Sequence, residues 1–114
     1  FGKIINILTS ALISNPNIGS SEYIANKAYL LSMNKSWATE YAKFNITSNA
    51  VSPSLMRNNF TKNIDERILE IAERKHPLNK FISEKEVCNT IEYIIESSQH
   101  LNGQNIVLNA AESL

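Results

Sequence analysis

Lys3-Ile4-Ile5-Asn6-Ile7-Leu8-Thr9-Ser10 is the stretch on which the fold turns. It carries one charge, and its apolar residues hardly alternate with polar ones. That pattern suits a strand buried on both faces of a parallel sheet. Residues 10–20, with Pro16, Gly19 and several Ser and Asn, read as a loop. From Ser21 to Phe44 the period becomes helical, with Ala28, Leu31, Ala38 and Ala42 near one stripe and Met33, Trp37 and Tyr41 near its neighbour. A helix that is apolar on more than one side is either buried or packed on a partner. Residues 46–51 read as a second strand, stopped by Pro53, which has no N–H to give a ladder. Asn63 is expected to cap a helix over 64–75, with Glu66 in capping-box position and Ile64, Ile68, Ile71 and Ala72 on one face. Ser83 and Glu86 form a second capping box, opening a helix over 84–98 whose Val87, Ile91, Ile94 and Ile95 make a stripe. Gly103 leads into a last strand at 104–108. The order strand–helix–strand–helix–helix–strand predicts an α/β fold with three parallel strands and right-handed crossovers.

Composition narrows the function classes. Apolar residues make up 43% of the 114, enough for a buried core. Eleven basic residues balance eleven acidic ones, leaving no basic face for nucleic acid. No apolar run is long enough to span a membrane, and the N-terminus lacks the features of a signal peptide. Cys88 is the only cysteine, which excludes an internal disulfide, and with His76 and His100 it makes a poor metal set. The expected setting is cytoplasmic. Cys88 is expected to be a core or semi-buried residue, His76 to be solvated or to cap a helix, and Trp37 and Tyr41 to pack or to meet another subunit.

The chemistry centres on Tyr23-Ile24-Ala25-Asn26-Lys27. Residues four apart share a helix face, with Cβ atoms about 5–6 Å apart. A fixed ammonium beside a phenol favours the phenolate, giving a proton donor and acceptor usable near neutral pH. Ligands of parallel sheets sit beyond the C-terminal strand ends. Ser10 and Pro53 both follow strand ends, and the helix bearing Tyr23 and Lys27 starts after the first of these loops. All the candidate chemistry therefore falls on one rim. A serine hydroxyl there can hold a carbonyl oxygen that receives the proton, whereas a hydride must come from a cofactor.

Taken together, Lys3–Ser10, the Tyr23/Lys27 pair, Asn45-Ile46-Thr47-Ser48-Asn49-Ala50-Val51-Ser52-Pro53 and Leu101-Asn102-Gly103-Gln104-Asn105-Ile106-Val107-Leu108 resemble the C-terminal half of a short-chain dehydrogenase/reductase. The likeness covers nearly the whole chain and is greatest to the 3-oxoacyl-[acyl-carrier-protein] reductases. It implies half of a Rossmann-type doubly wound parallel sheet, with residues 54–75 as a substrate lid. It also implies that Tyr23 is the general acid, that Lys27 assists it and binds the nicotinamide ribose, and that Ser10 orients the substrate oxygen. Pro53, Ser54, Met56 and Asn58 would join Tyr23 and Lys27 in holding the cofactor. Leu12, Leu55 and Phe60 would join Ser10 in meeting the substrate, a small-molecule or carrier-bound acyl ketone. The resemblance puts NADP(H) ahead of NAD(H), and implies a homo-oligomer, dimer or tetramer, assembled through helices 21–44 and 84–98.

Departures from that pattern are local. Ser54 stands where the family has glycine, so a positive φ there would be costly. Asn109-Ala110-Ala111 stands where many relatives have Asp-Gly-Gly. The family's dinucleotide-binding half, with its glycine-rich turn, has no counterpart among these residues. The expectation is a fragment of a protein about twice as long, inactive alone. The competing expectation is a complete, non-catalytic assembly module that uses the same helices as contact surfaces.

Overall fold

The computed structural model describes residues 1–15 and 17–112. Pro16, read above as part of a loop, lies outside the described residues. Strand β1 (Gly2–Ile7) is followed by a short 3-10 turn (Ser10–Ile13), then by helix α1 (Ser21–Tyr41) and a second 3-10 turn (Ala42–Phe44). Strand β2 (Ile46–Pro53), helix α2 (Glu66–Lys75), helix α3 (Glu84–Glu96) and strand β3 (Asn105–Leu108) complete the order. The strands form one parallel sheet, β1-β2-β3, with Ile7 opposite Val51 and Pro53 opposite Leu108. The fold class is thus α/β, as expected. β2 is the central strand and is buried almost throughout; β1, expected to be buried on both faces, is an edge strand and mostly half-buried. Pro53 ends β2 from within, as its last residue.

The two faces of the sheet differ in chemistry. On the α3 side, Val51, Val87 and Ile94 form the core, with Ile5, Met56, Ile82, Ile91, Leu101, Ile106 and Leu108 packed around them. Side chains alternate along a strand, so Ser48, Ala50 and Ser52 of β2 point the other way, towards α1. There Asn6, Asn34 and Ser48 are all buried and hydrogen-bonded to one another. Gly103 turns the chain into β3 with φ +76°, and a Cβ at that position would sit 3.4 Å from the Ala38 Cβ of α1. A side chain is disfavoured there by conformation and by space. Lys3 of β1 donates to the carbonyl oxygen of Ser97, the C-cap of α3, where a helix end favours a cation.

Several sequence expectations need correction. Ala28 and Ala42 of the long helix are exposed, and its inward stripe centres on Asn34 and Ala38. Helix α2 is capped by Asp65, whose carboxylate accepts from the Arg67 N–H, and not by Asn63. Its inward residues are Leu69, Ala72, Glu73 and His76, whereas Ile64, Ile68 and Ile71 face out. The reason is Arg57, which pairs with both Glu66 and Glu73 and so turns the acidic side of α2 towards the chain that follows β2. In α3 the Ser83–Glu86 capping box is present, the helix ends at Glu96, Ile95 is exposed, and Cys88 lies outside the core. His76 is buried: its backbone caps α2, and its Nδ1 accepts from the Leu78 N–H.

Candidate active site

Tyr23 and Lys27 lie on the first two turns of α1, above the C-terminal end of β1. The Lys27 ammonium donates to the Ile7 carbonyl oxygen at 2.8 Å and lies 5.9 Å from the centre of the Tyr23 ring. The lysine is half-buried and the tyrosine is 52% exposed. A cation thus sits beside a phenol that is open to a ligand. Ser10 opens the 3-10 turn just past β1 and is half-buried; Thr9 caps that turn by accepting from the Ala11 N–H. This turn packs against α1. The structure therefore pairs Tyr23 with Lys27 directly and brings Ser10 to the same helix through the turn. Leu12, in the same turn, is half-buried.

The segment after β2 leaves the neighbouring strand end. Ser54 continues the ladder by donating its N–H to the Leu108 carbonyl, 3.0 Å away. Its φ is not positive, so the cost that a left-handed conformation would carry at this serine does not arise. Its Oγ is sealed from solvent and has no hydrogen-bond partner among the described residues. Met56 packs on the core, while Leu55 and Phe60 are exposed. The Asn58 Oδ1 accepts from the Phe60 N–H at 3.0 Å, which leaves the amide NH2 as the part of that side chain able to reach a ligand. Thr61, buried and not singled out in the sequence, locks the loop: its hydroxyl donates to the Met56 carbonyl and accepts from the Asn58 N–H. A residue that bonds backbone three and five positions back has no sequence signal beyond its type. Arg57, clasped by Glu66 and Glu73 and lying over the Phe81 ring, ties the loop to α2. The hydrogen bonds to Glu66 and then Glu73 raise the pKa of a guanidinium that is already protonated at any ordinary pH.

A cavity of about 240 Å³ lies on the α3 side of these strand ends, lined by Ser54, His76, Leu78, Phe81, Leu108 and Asn109 among others. Ser54 is the one residue it shares with the segments described above; Tyr23, Lys27 and Ser10 do not line it. Among the described residues no cluster of His, Cys, Asp and Glu could hold a metal ion, and no helix is long and apolar enough to cross a membrane.

Three parallel strands whose adjacent C-terminal ends carry a Tyr-x-x-x-Lys helix, a serine turn and a proline-led loop make part of a Rossmann-type α/β sheet. Residues 1–110 match the sequence model of a family described as enoyl-(acyl carrier protein) reductase, and the chain belongs to that family, within the short-chain dehydrogenase/reductases. It is 34% identical over 110 residues to the 3-oxoacyl-[acyl-carrier-protein] reductase FabG of Rickettsia felis, covering 96% of this chain and 45% of that protein. The protein of the same name from Thermotoga maritima is 34% identical over 106 residues, 92% of this chain and 43% of its own length. That of Staphylococcus aureus is 31% identical over 109 residues, 95% and 44%. The chain therefore spans a little under half the length of the curated relatives it matches, in keeping with a partial Rossmann-type sheet.

Proposed function

We propose that this chain is the catalytic half of an NAD(P)(H)-dependent carbonyl reductase acting on a 3-oxoacyl or related ketone, free or carrier-bound. The observation that carries the reading is the Lys27 ammonium fixed on the Ile7 carbonyl beside the exposed Tyr23 phenol. In ketone reduction Tyr23 gives its hydroxyl proton to the carbonyl oxygen, and the neighbouring ammonium stabilises the phenolate left behind. Ser10 donates a hydrogen bond to the same oxygen and meets the charge that develops there. In alcohol oxidation the proton returns to Tyr23.

The donors at the rim suit the nicotinamide–ribose end of a cofactor: an ammonium for ribose hydroxyls, and the segment Pro53, Ser54, Met56 and Asn58 leaving the adjacent strand. Bound there, a nicotinamide supplies the hydride that no side chain can. NADP(H) is favoured over NAD(H) by similarity to the carrier-protein reductases. Residues 54–75, with Leu55 and Phe60 exposed, act as the lid over an apolar acyl substrate, and Leu12 borders the same substrate. Assembly into a dimer or tetramer uses the outer faces of α1 and α3, where Tyr29, Tyr93 and Ile95 are exposed. The open edge of β1 is where the family's dinucleotide-binding half would pair, and the chain without that half is expected to be inactive. The working compartment is the cytoplasm.

The test uses the protein at its natural full length, with NADPH and a 3-oxoacyl thioester. Tyr23→Phe is expected to lower kcat by about a hundredfold or more, the usual scale for a lost general acid, with NADPH affinity changed little. Undiminished turnover in that variant would overturn the assignment.

A further inference from the structure

Tyr23, Lys27 and Asn34 stand at i, i+4 and i+11 on α1. At 3.6 residues per turn they lie within about 40° of one another around the helix axis. This stripe faces the sheet across β1 and β2. Lys27 ends on the backbone of Ile7, and Asn34, fully buried, ends on the side chain of the adjacent Asn6. The Asn34 Oδ1 accepts from the Asn6 Nδ2 at 3.0 Å and from the Ser48 hydroxyl at 2.8 Å. Its own Nδ2 points to the Gln104 carbonyl at 3.5 Å. One amide thus joins α1 to β1, to β2 and to the turn that precedes β3. One turn further along, the Asn102 Nδ2 donates to the Ala38 carbonyl while its Oδ1 accepts from the Ser48 N–H.

An apolar contact fixes how deep a helix sits but leaves it free to roll by several degrees. A buried amide with partners on two strands fixes the roll as well, because rotation would strip hydrogen bonds from groups that water cannot reach. We propose that Asn34 is a positioning residue for the proposed reaction. It sets the rotation of α1 against β1, so that the Lys27 ammonium meets the Ile7 carbonyl and the Tyr23 hydroxyl stands over the strand ends. The argument rests on the reading of Tyr23 and Lys27 given above. Misplacing a catalytic group by about 1 Å can cost a hundredfold in rate, so a roll of α1 acts on chemistry well before it unfolds the sheet.

The test is a mutant cycle in the protein at its natural full length, measured as kcat and as KM for NADPH. Asn34→Leu keeps the side-chain size and removes every hydrogen bond. Ser48→Ala removes one of the Asn34 bonds and the longer one from the Asn6 amide, and is the milder substitute should Asn34→Leu fail to fold. Asn34→Leu is expected to lower kcat by about tenfold or more, and Ser48→Ala by a smaller factor. In a Tyr23→Phe/Lys27→Met background neither is expected to lower kcat by more than about twofold further, because both groups they position are already gone. A role in stability alone would instead multiply the same factor onto both backgrounds, and that result overturns the positioning role while leaving Tyr23 and Lys27 assigned. Wild-type kcat in Tyr23→Phe/Lys27→Met itself overturns both readings.

Discussion

The side chain of Lys27 donates to the backbone carbonyl of Ile7 at 2.8 Å. This bond crosses from the helix to the last residue of β1, and it makes the lysine a fixed charge instead of a wandering one. A free lysine carries several rotatable bonds, and ordering it costs up to about 2 kcal/mol of side-chain entropy. Here that cost is met by folding, before any ligand arrives. The phenol 5.9 Å away therefore has a cation of defined position as its neighbour.

Lys27→Met keeps the length and apolar stem of the side chain and removes the charge. In the full-length protein it is expected to lower kcat by about a hundredfold or more and to weaken cofactor binding as well, since the same ammonium is proposed to serve the ribose. Lys27→Arg keeps the charge but not the compact three-donor head, and should recover only part of the rate. Steady-state kinetics with NADPH consumption read both. An arginine variant with full activity would show that any cation suffices.

Ser54 yields a prediction of opposite sign. Its hydroxyl is buried and unpartnered among the described residues, and its φ is not positive. A buried polar group left unpaired costs roughly 1–3 kcal/mol, so Ser54→Ala should stabilise the protein by about 1 kcal/mol. Ser54→Gly restores the residue type usual in the family, yet it adds backbone freedom to the unfolded chain at a cost of roughly 0.5–1 kcal/mol relative to alanine. Chemical denaturation should therefore rank alanine above glycine. The reverse order would mean that the loop needs a conformation only glycine adopts.

What could be read in advance depended on how local the governing interaction is. The Ser83–Glu86 box was legible because both partners lie within one helical turn and the rule is stereochemical. The parallel strands and the rim bearing Tyr23 and Lys27 were legible because α/β topology leaves few choices. The inward face of α2 was not, since Ile64, Ile68 and Ile71 make a plausible stripe and only the distant Arg57 turns that face outward. Two cap residues close together, Asn63 and Asp65, also hid the helix start. Asn34 escaped notice because a lone asparagine in an apolar helix reads as solvated. Its one signal was its register with Tyr23, Lys27 and Ala38.

Ala110 and Ala111 adopt φ values of 51° and 64°, in the left-handed region, just after β3. They stand where glycines are usual in the family, and the turn is held by Asn109, whose Oδ1 accepts from the Ala111 N–H and whose Nδ2 donates to the Glu112 carbonyl. A left-handed conformation costs a residue with a Cβ roughly 1–2 kcal/mol, offset in part by the greater unfolded-state entropy of glycine. Ala110→Gly and Ala111→Gly should each raise stability by about 0.5–1 kcal/mol, and thermal melting of the single and double variants would reveal it. A fall in Tm in both would mean that the turn is not left-handed in solution.

The α3 cap gives the pH dependence. The Glu86 carboxylate accepts from the Ser83 N–H at 2.7 Å and from its hydroxyl at 2.9 Å, and these bonds hold its pKa below the ordinary carboxylate value. A group whose folded pKa is depressed adds stability at all pH above its unfolded value, and that stability is lost as pH falls through the folded pKa. Glu86→Gln keeps an acceptor in place but cannot titrate. At neutral pH the wild type should melt higher than the glutamine variant, because its charge also suits the N-terminus of α3. On acidification through and below the ordinary carboxylate range, the two Tm curves should converge. Curves that stay a constant distance apart down to the lowest pH would mean that the ionised carboxylate contributes nothing to the cap.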